Sequence, residues 1–120
     1  MAIHSLLLRN RPFNAIKNGT KTVEVRANKK VGRLDYATIE KGDHIVFINE
    51  ETKETLKCNI ENVKLYKDVR KLLVEEGVKN TLSSGGDLDA GVKSIESITN
   101  YKKVIAEKGV FAYRLRVIND

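Results

Sequence analysis

Hydrophobic residues alternate with polar ones in several stretches of this chain and recur at helical spacing in others, and the switches between the two periods divide it into elements. At residues 2–8, Leu6 and Leu8 point one way while Ile3, Ser5 and Leu7 point the other, which predicts an opening strand buried on both faces. Residues 12–26 then combine three signals. Phe13 and Ile16 sit three apart behind Pro12, a residue suited to the first turn of a short helix, and Asn18 and Gly19 supply a stop able to take positive φ. Immediately afterwards Val23 and Val25 alternate with Thr22, Glu24 and Arg26, the pattern of a half-buried strand over residues 21–26. Glu24 and Arg26 thereby share a face. Lys21 and Glu24 are of opposite parity, so they meet only if the strand begins after Lys21 or is distorted there.

Farther along, residues 28–33 read as a flexible basic loop, and Lys41, Gly42 and Asp43 form a turn signal ahead of an apolar strand at residues 45–48, with Asp43 capping the turn. Residues 49–53 read as a hairpin loop. Leu56, Cys58 and Ile60 alternate with polar neighbours, but Val63 and Leu65 continue on the other parity, the slip that a β-bulge produces. Val69, Leu72 and Leu73 predict a helix bounded by Asp68 and Gly77. Residues 80–91, centred on Ser83 to Asp87, are expected to form one long mobile loop. Helical spacing returns at Val92, Ile95 and Ile98 and runs to about Tyr101. Gly109 then turns the chain into a last strand with Phe111, Tyr113, Leu115 and Val117 on one side. Helices inserted without regular strand-helix alternation predict an α+β fold with a curved, mainly antiparallel sheet and about three short helices.

Composition narrows this further. The 120 residues suit a single domain spanning residues 1–120, and the apolar runs are far shorter than the ~20 residues a membrane helix needs, so a cytoplasmic protein without a membrane partner is expected. A monomer is the expected state. One cysteine and two histidines leave no framework for a disulfide or a metal, and no cofactor-binding fingerprint is present. The net charge of +6 is unevenly placed. Residues 1–33 hold eight Lys or Arg against Glu24 alone, a balance of +7, while the remainder sets fourteen basic residues against fifteen acidic ones, a balance of −1. A basic N-terminal face favours an anionic partner, of which RNA or a nucleotide is the usual kind.

The pattern Pro12-Phe13-x-x-Ile16-x-x-Gly19-x-Lys21-Thr22-x-Glu24-x-Arg26, followed by Lys41-Gly42-Asp43-x-Ile45-x-Phe47, resembles the ASCH (activating signal cointegrator homology) family, whose fold is PUA-like. The resemblance extends more loosely to the last strand and implies a closed PUA-like β-barrel. Members of that family are variously linked to RNA binding, RNA cleavage and hydrolysis of an acetylated nucleoside. The implied function is an RNA- or nucleotide-binding ASCH domain, the alternatives being a small hydrolase (N4-acetylcytidine amidohydrolase-like or a ribonuclease) and a protein-interaction module.

In members that deacetylate N4-acetylcytidine the implied catalytic set is a lysine, a threonine and a glutamate. Lys21 matches the lysine, Glu24 stands where the threonine would be, and the distant acid is left open among Glu75, Glu76, Asp87 and Asp89. Arg26 matches the family's arginine. The candidate catalytic residues are therefore Lys21 and Glu24, and the candidate nucleic-acid-binding residues are Lys21, Arg26, Lys29, Lys30, Arg33, Arg11 and Lys17. A carboxylate beside Lys21 favours the charged ammonium, so anion binding is the expected role and deacetylation is expected to be weak or absent.

Overall fold

The alternating stretches become the strands of one curled sheet, and their parity decides which side chains enter the core. The computed structural model describes residues 1–119. Its strands are β1 (Ile3–Leu8), β2 (Val23–Ala27), β3 (Lys30–Val31), β4 (Leu34–Asp35), β5 (His44–Asn49), β6 (Thr55–Tyr66) and β7 (Val110–Val117). The helices are α1 (Asn10–Lys17), α2 (Val69–Glu76), α3 (Val78–Thr81), α4 (Leu88–Glu96) and α5 (Tyr101–Lys108), with a 3-10 turn at Tyr36–Thr38. Five strands pair in the order β1-β5-β6-β7-β2, with β1 parallel to β5 and every other pair antiparallel. The result is the α+β, curved and mainly antiparallel architecture expected, in the form of a half-barrel open between its edges β1 and β2 where the resemblance implied a closed barrel.

Two apolar clusters lie on opposite sides of this sheet. Leu6, Leu8, Ile45, Phe47, Cys58, Ile60, Tyr113 and Leu115 fill the inside of the curl together with Phe13 and Ile16 of α1. On the outside, Val23, Ala27, Val110 and Ala112 pack against Val69, Leu72 and Leu73 of α2, Ile95 of α4 and Ile105 of α5. Cys58 is wholly buried, and burial pushes its thiol up to about 11, which leaves it a core residue without nucleophilic character. The slip in β6 is a register shift between Ile60 and Asn62, which lets the long strand bend around the core.

Several expectations need correction. β1 is buried on one face only, with Ile3 at 58 % and Leu7 at 57 % exposure, because the helices cover the outer face near β7 and β2 and leave the β1 edge open. Residues 28–33 are not an open loop: β3 and β4 pair as a hairpin through Gly32. Residues 80–91 are helical at both ends, where Thr81 ends α3 and the Asp87 carboxylate accepts the Ala90 N–H at 2.8 Å to start α4. The helix expected over residues 92–101 is divided, since Asn100 adopts a left-handed φ of +68° between α4 and α5. These changes raise the α-helices among the described residues to five.

The turns behave as their chemistry requires. Gly19 has φ +87° and reverses the chain from α1 toward β2. Asp43 accepts hydrogen bonds from the Ala2 and Glu40 N–H groups, each at 3.0 Å, and its Oδ2 lies 2.9 Å from His4 Nε2, so one carboxylate ties the start of β1 to the turn before β5. His4 is thus a packed strand residue with a structural partner.

Candidate functional site

Lys21 is drawn into the protein by the chain around it. After the Gly19 turn its N–H returns to the Ala15 carbonyl at 3.0 Å, and the Thr22 N–H reaches the Asn80 carbonyl at 2.8 Å, docking this segment between α1 and α3. β2 begins only at Val23, so Lys21 stands outside the regular alternation and its side chain meets Glu24. The condition set by strand parity is met.

The Lys21 ammonium donates to the Val23 carbonyl at 2.7 Å and to the Thr81 carbonyl, and lies 3.3 Å from Glu24 Oε1. Three acceptors surround three hydrogens. Burial pulls the Lys21 pKa below its ordinary value, and Glu24 opposes that pull without cancelling it. From the sequence the Glu24 charge was expected to prevail; in the structure burial is the larger effect. At Glu24, burial favours the neutral acid, but Arg26 and Lys21 outweigh it and hold the carboxyl below its ordinary range.

Arg26 closes the group. Its Nε lies 2.8 Å and its Nη2 2.6 Å from Glu24 Oε2, while Nη1 donates to Tyr36 Oη at 3.0 Å and Nη2 to the Leu7 carbonyl at 3.4 Å. The last bond spans the opening between the two edge strands, so Arg26 fastens the half-barrel across its gap. Burial works against its charge, yet Glu24 keeps the guanidinium protonated far above neutral pH. The geometry therefore sets the Lys21 amine and the Arg26 guanidinium on either side of one carboxylate.

It forms the floor of a cleft of about 1090 Å³. One wall comes from the end of β1 and the start of α1, including Leu7, Arg9 and Arg11, and Glu50 and Glu51 line the cleft as well. The other wall comes from the end of α3, the segment after it, α4 and the α4–α5 connection, and it is rich in hydroxyls from Thr81, Ser83, Ser84, Ser94, Ser97 and Thr99. Among the expected binding residues, Lys21, Arg26 and Arg11 line this cleft together. Lys17 lies at the far end of α1, paired with Glu54, and Lys29 stands 5.2 Å from the centre of the Tyr101 ring. Lys30 and Arg33 are exposed on the β3–β4 hairpin and do not line the cleft.

None of the four distant acids left open in the sequence meets Lys21. Glu75 pairs with Lys64, Glu76 with Arg114 and the Tyr66 hydroxyl, Asp87 caps α4 and Asp89 pairs with Arg70. The carboxylate facing Lys21 is Glu24 itself. Sequence reasoning passed over Arg9, Tyr36 and the Thr81 carbonyl. Arg9 had a legible signal: together with Arg11 it places positive charge at the start of a helix whose first turn has no acid, where the macrodipole disfavours cations.

The ASCH domain family model matches residues 6–115. Among solved structures, that of the hypothetical protein PH0355 is similar with a TM-score of 0.82 at 24% identity, covering 97% of this chain and 99% of that one. Protein PF0455 from Pyrococcus furiosus gives a TM-score of 0.74 at 22% identity, covering 98% and 99% respectively. A mutant form of ZmASCH from Zymomonas mobilis gives 0.57 at 19% identity, covering 96% of this chain and 72% of that one. At such identities the likeness is one of fold. No significant match is found among curated proteins.

Proposed function

Because the chain belongs to the ASCH domain family, we propose that it binds RNA in the cleft above Lys21, Glu24 and Arg26. The observation that carries this reading is the basic rim of the cleft: Arg9 and Arg11 stand exposed on its wall above a floor where Lys21 and the half-buried Arg26 flank the buried Glu24 carboxylate, and with Glu50 and Glu51 counted the lining still sets four basic side chains against three acidic ones. A polyanion is attracted to such a surface, and the basic hairpin with Lys29, Lys30 and Arg33 extends the attraction beyond the cleft. The test is equilibrium binding of labelled single-stranded and structured RNAs to the purified protein, with the integrity of the RNA followed in the same samples. Arg11→Glu is expected to weaken binding at least about tenfold at low salt, a change of about 1.4 kcal/mol. Absence of binding by the parent protein would overturn the reading.

A hydrolytic role has one observation in its favour, the lowering of the Lys21 pKa by burial. A general base or nucleophile needs a free lone pair, however, and every hydrogen of the Lys21 ammonium already faces an acceptor, an arrangement that suits the charged form. N4-acetylcytidine is accordingly expected to survive prolonged incubation with the protein. Robust deacetylation that disappears in Lys21→Ala would put the enzyme reading in first place.

A further inference from the structure

The floor of the cleft has little capacity left for a phosphate. Lys21 has an acceptor for each of its three hydrogens, and Arg26 spends four of its five N–H groups on Glu24, Tyr36 and Leu7, leaving one at Nη1. A phosphate placed there would also lie beside the Glu24 carboxylate in a buried setting, where repulsion is poorly screened. Arg9 and Arg11 have free donors among the described residues, and the carboxylates that share their wall, Glu50 and Glu51, are exposed, where solvent and salt screen them. Both are exposed, both line the cleft, and neither enters an ion pair among the described residues.

Between floor and rim stand two aliphatic side chains that the core does not claim. Leu7 is 57 % exposed and Ile98 is 47 % exposed, and both line the cleft, Leu7 from the β1 wall and Ile98 from the α4–α5 connection on the other side. The other large exposed apolar residues, Met1, Ile3, Val31, Leu65 and Val74, lie elsewhere. Apolar flanks above a polar floor fit a flat group with hydrogen-bonding edges, and the arginines at the rim add a requirement for attached negative charge. A nucleotide has all three features, and a base can enter only if it is unpaired.

Building on the RNA-binding reading, we propose that the cleft takes one unpaired nucleotide of a single strand, with its base held between Leu7 and Ile98 and its phosphates on Arg9 and Arg11. The base directs its polar edge toward Lys21, Glu24, Arg26 and the hydroxyl-bearing wall. The cleft volume of about 1090 Å³ lies just above the range of about 300–1,000 Å³ for small-ligand sites, so one such unit fits with space left for the chain on either side of it. Division of labour follows: the rim supplies the cleft's share of the salt dependence, and the aliphatic pair sets the preference for an unpaired base.

The experiment compares a short labelled RNA as a single strand and as a duplex, against the parent, Leu7→Ser, Ile98→Ser and the Arg9→Ala/Arg11→Ala pair, with the melting temperature of each variant recorded. Leu7 and Ile98 are exposed, so their variants are expected to melt near the parent. Each serine variant should lose about tenfold in affinity for the single strand, or about 1.4 kcal/mol, at an unchanged salt slope. The arginine pair should lower the slope by the equivalent of about two phosphate contacts. If the parent binds RNA and both serine variants bind equally well, or if the duplex binds as tightly as the single strand, the clasp is refuted while RNA binding stands. If the parent binds neither form, both readings fall.

Discussion

At Glu24 burial and charge oppose one another, and the outcome fixes the cluster. Desolvation favours the protonated acid, but Arg26 and Lys21 hold the carboxylate ionised, and it in turn offsets the repulsion between them. Replacing it with a neutral amide of the same shape removes the anion and leaves two cations together. Glu24→Gln is expected to cost about 3–5 kcal/mol, the usual penalty for breaking a buried ion pair from one side. Urea unfolding monitored by circular dichroism measures this; a loss below about 1 kcal/mol would mean that the pair is open to water. Arg26→Ala should likewise destabilise the protein as well as weaken RNA binding, because its guanidinium also fastens the β1 edge through the Leu7 carbonyl. Asp43 provides a separate test through pH. Hydrogen bonds from His4, Ala2 and Glu40 hold its carboxyl well below the usual carboxylate range. A depressed folded-state pKa contributes stability that is present above the unfolded value of about 3.9 and is lost as pH falls below it. Asp43→Asn should therefore flatten the acid limb of the stability curve, and an unchanged acid limb would remove this carboxylate from the account.

Among the elements, the turns are where glycine decides the path. Gly19 and Gly109 both have positive φ, at +87° and +88°, but their surroundings differ: a Cβ on Gly19 would meet nothing within 4 Å, and one on Gly109 would lie 2.7 Å from the Tyr66 carbonyl. Gly19→Ala is expected to cost about 1–2 kcal/mol of backbone strain. Gly109→Ala adds a backbone clash to the same strain and should cost more; thermal unfolding of the two variants checks the order, and equal losses would contradict it. The elements most legible in the sequence were those with a strict period and a bounding signal, such as β7, the bulged β6, and α2 between Asp68 and Gly77. Less legible were elements whose cause lies in the fold. Asn100 breaks a helix that periodicity would continue, and the serine-rich stretch reads as loop although Asp87 caps a helix inside it. The two-faced apolar pattern of β1 does not reveal which face the helices leave bare.

For the molecule as a whole, the motif of Lys21, Glu24 and Arg26 pointed to one place, and the fold brings these three side chains together there. The opposite wall is drawn from residues some sixty positions or more along the chain, and no local pattern could announce Thr81 or Ile98 as neighbours of Lys21. The charge was legible, but its distribution was not. Arg9 and Arg11 join the cleft, Lys29, Lys30 and Arg33 belong to the hairpin region outside it, and Lys17 is paired with Glu54. Among the described residues no helix is long and apolar enough to cross a membrane, and the excess of positive charge is concentrated in residues 1–33. RNA lying over both the cleft and the hairpin should release counterions at each. The most direct measurement is therefore the dependence of RNA affinity on salt, for the parent and for Lys29→Ala/Lys30→Ala/Arg33→Ala. The account predicts a steep fall in parent affinity with added salt and a shallower slope for the triple variant, and affinity that ignores salt, or identical slopes for the two proteins, would contradict it.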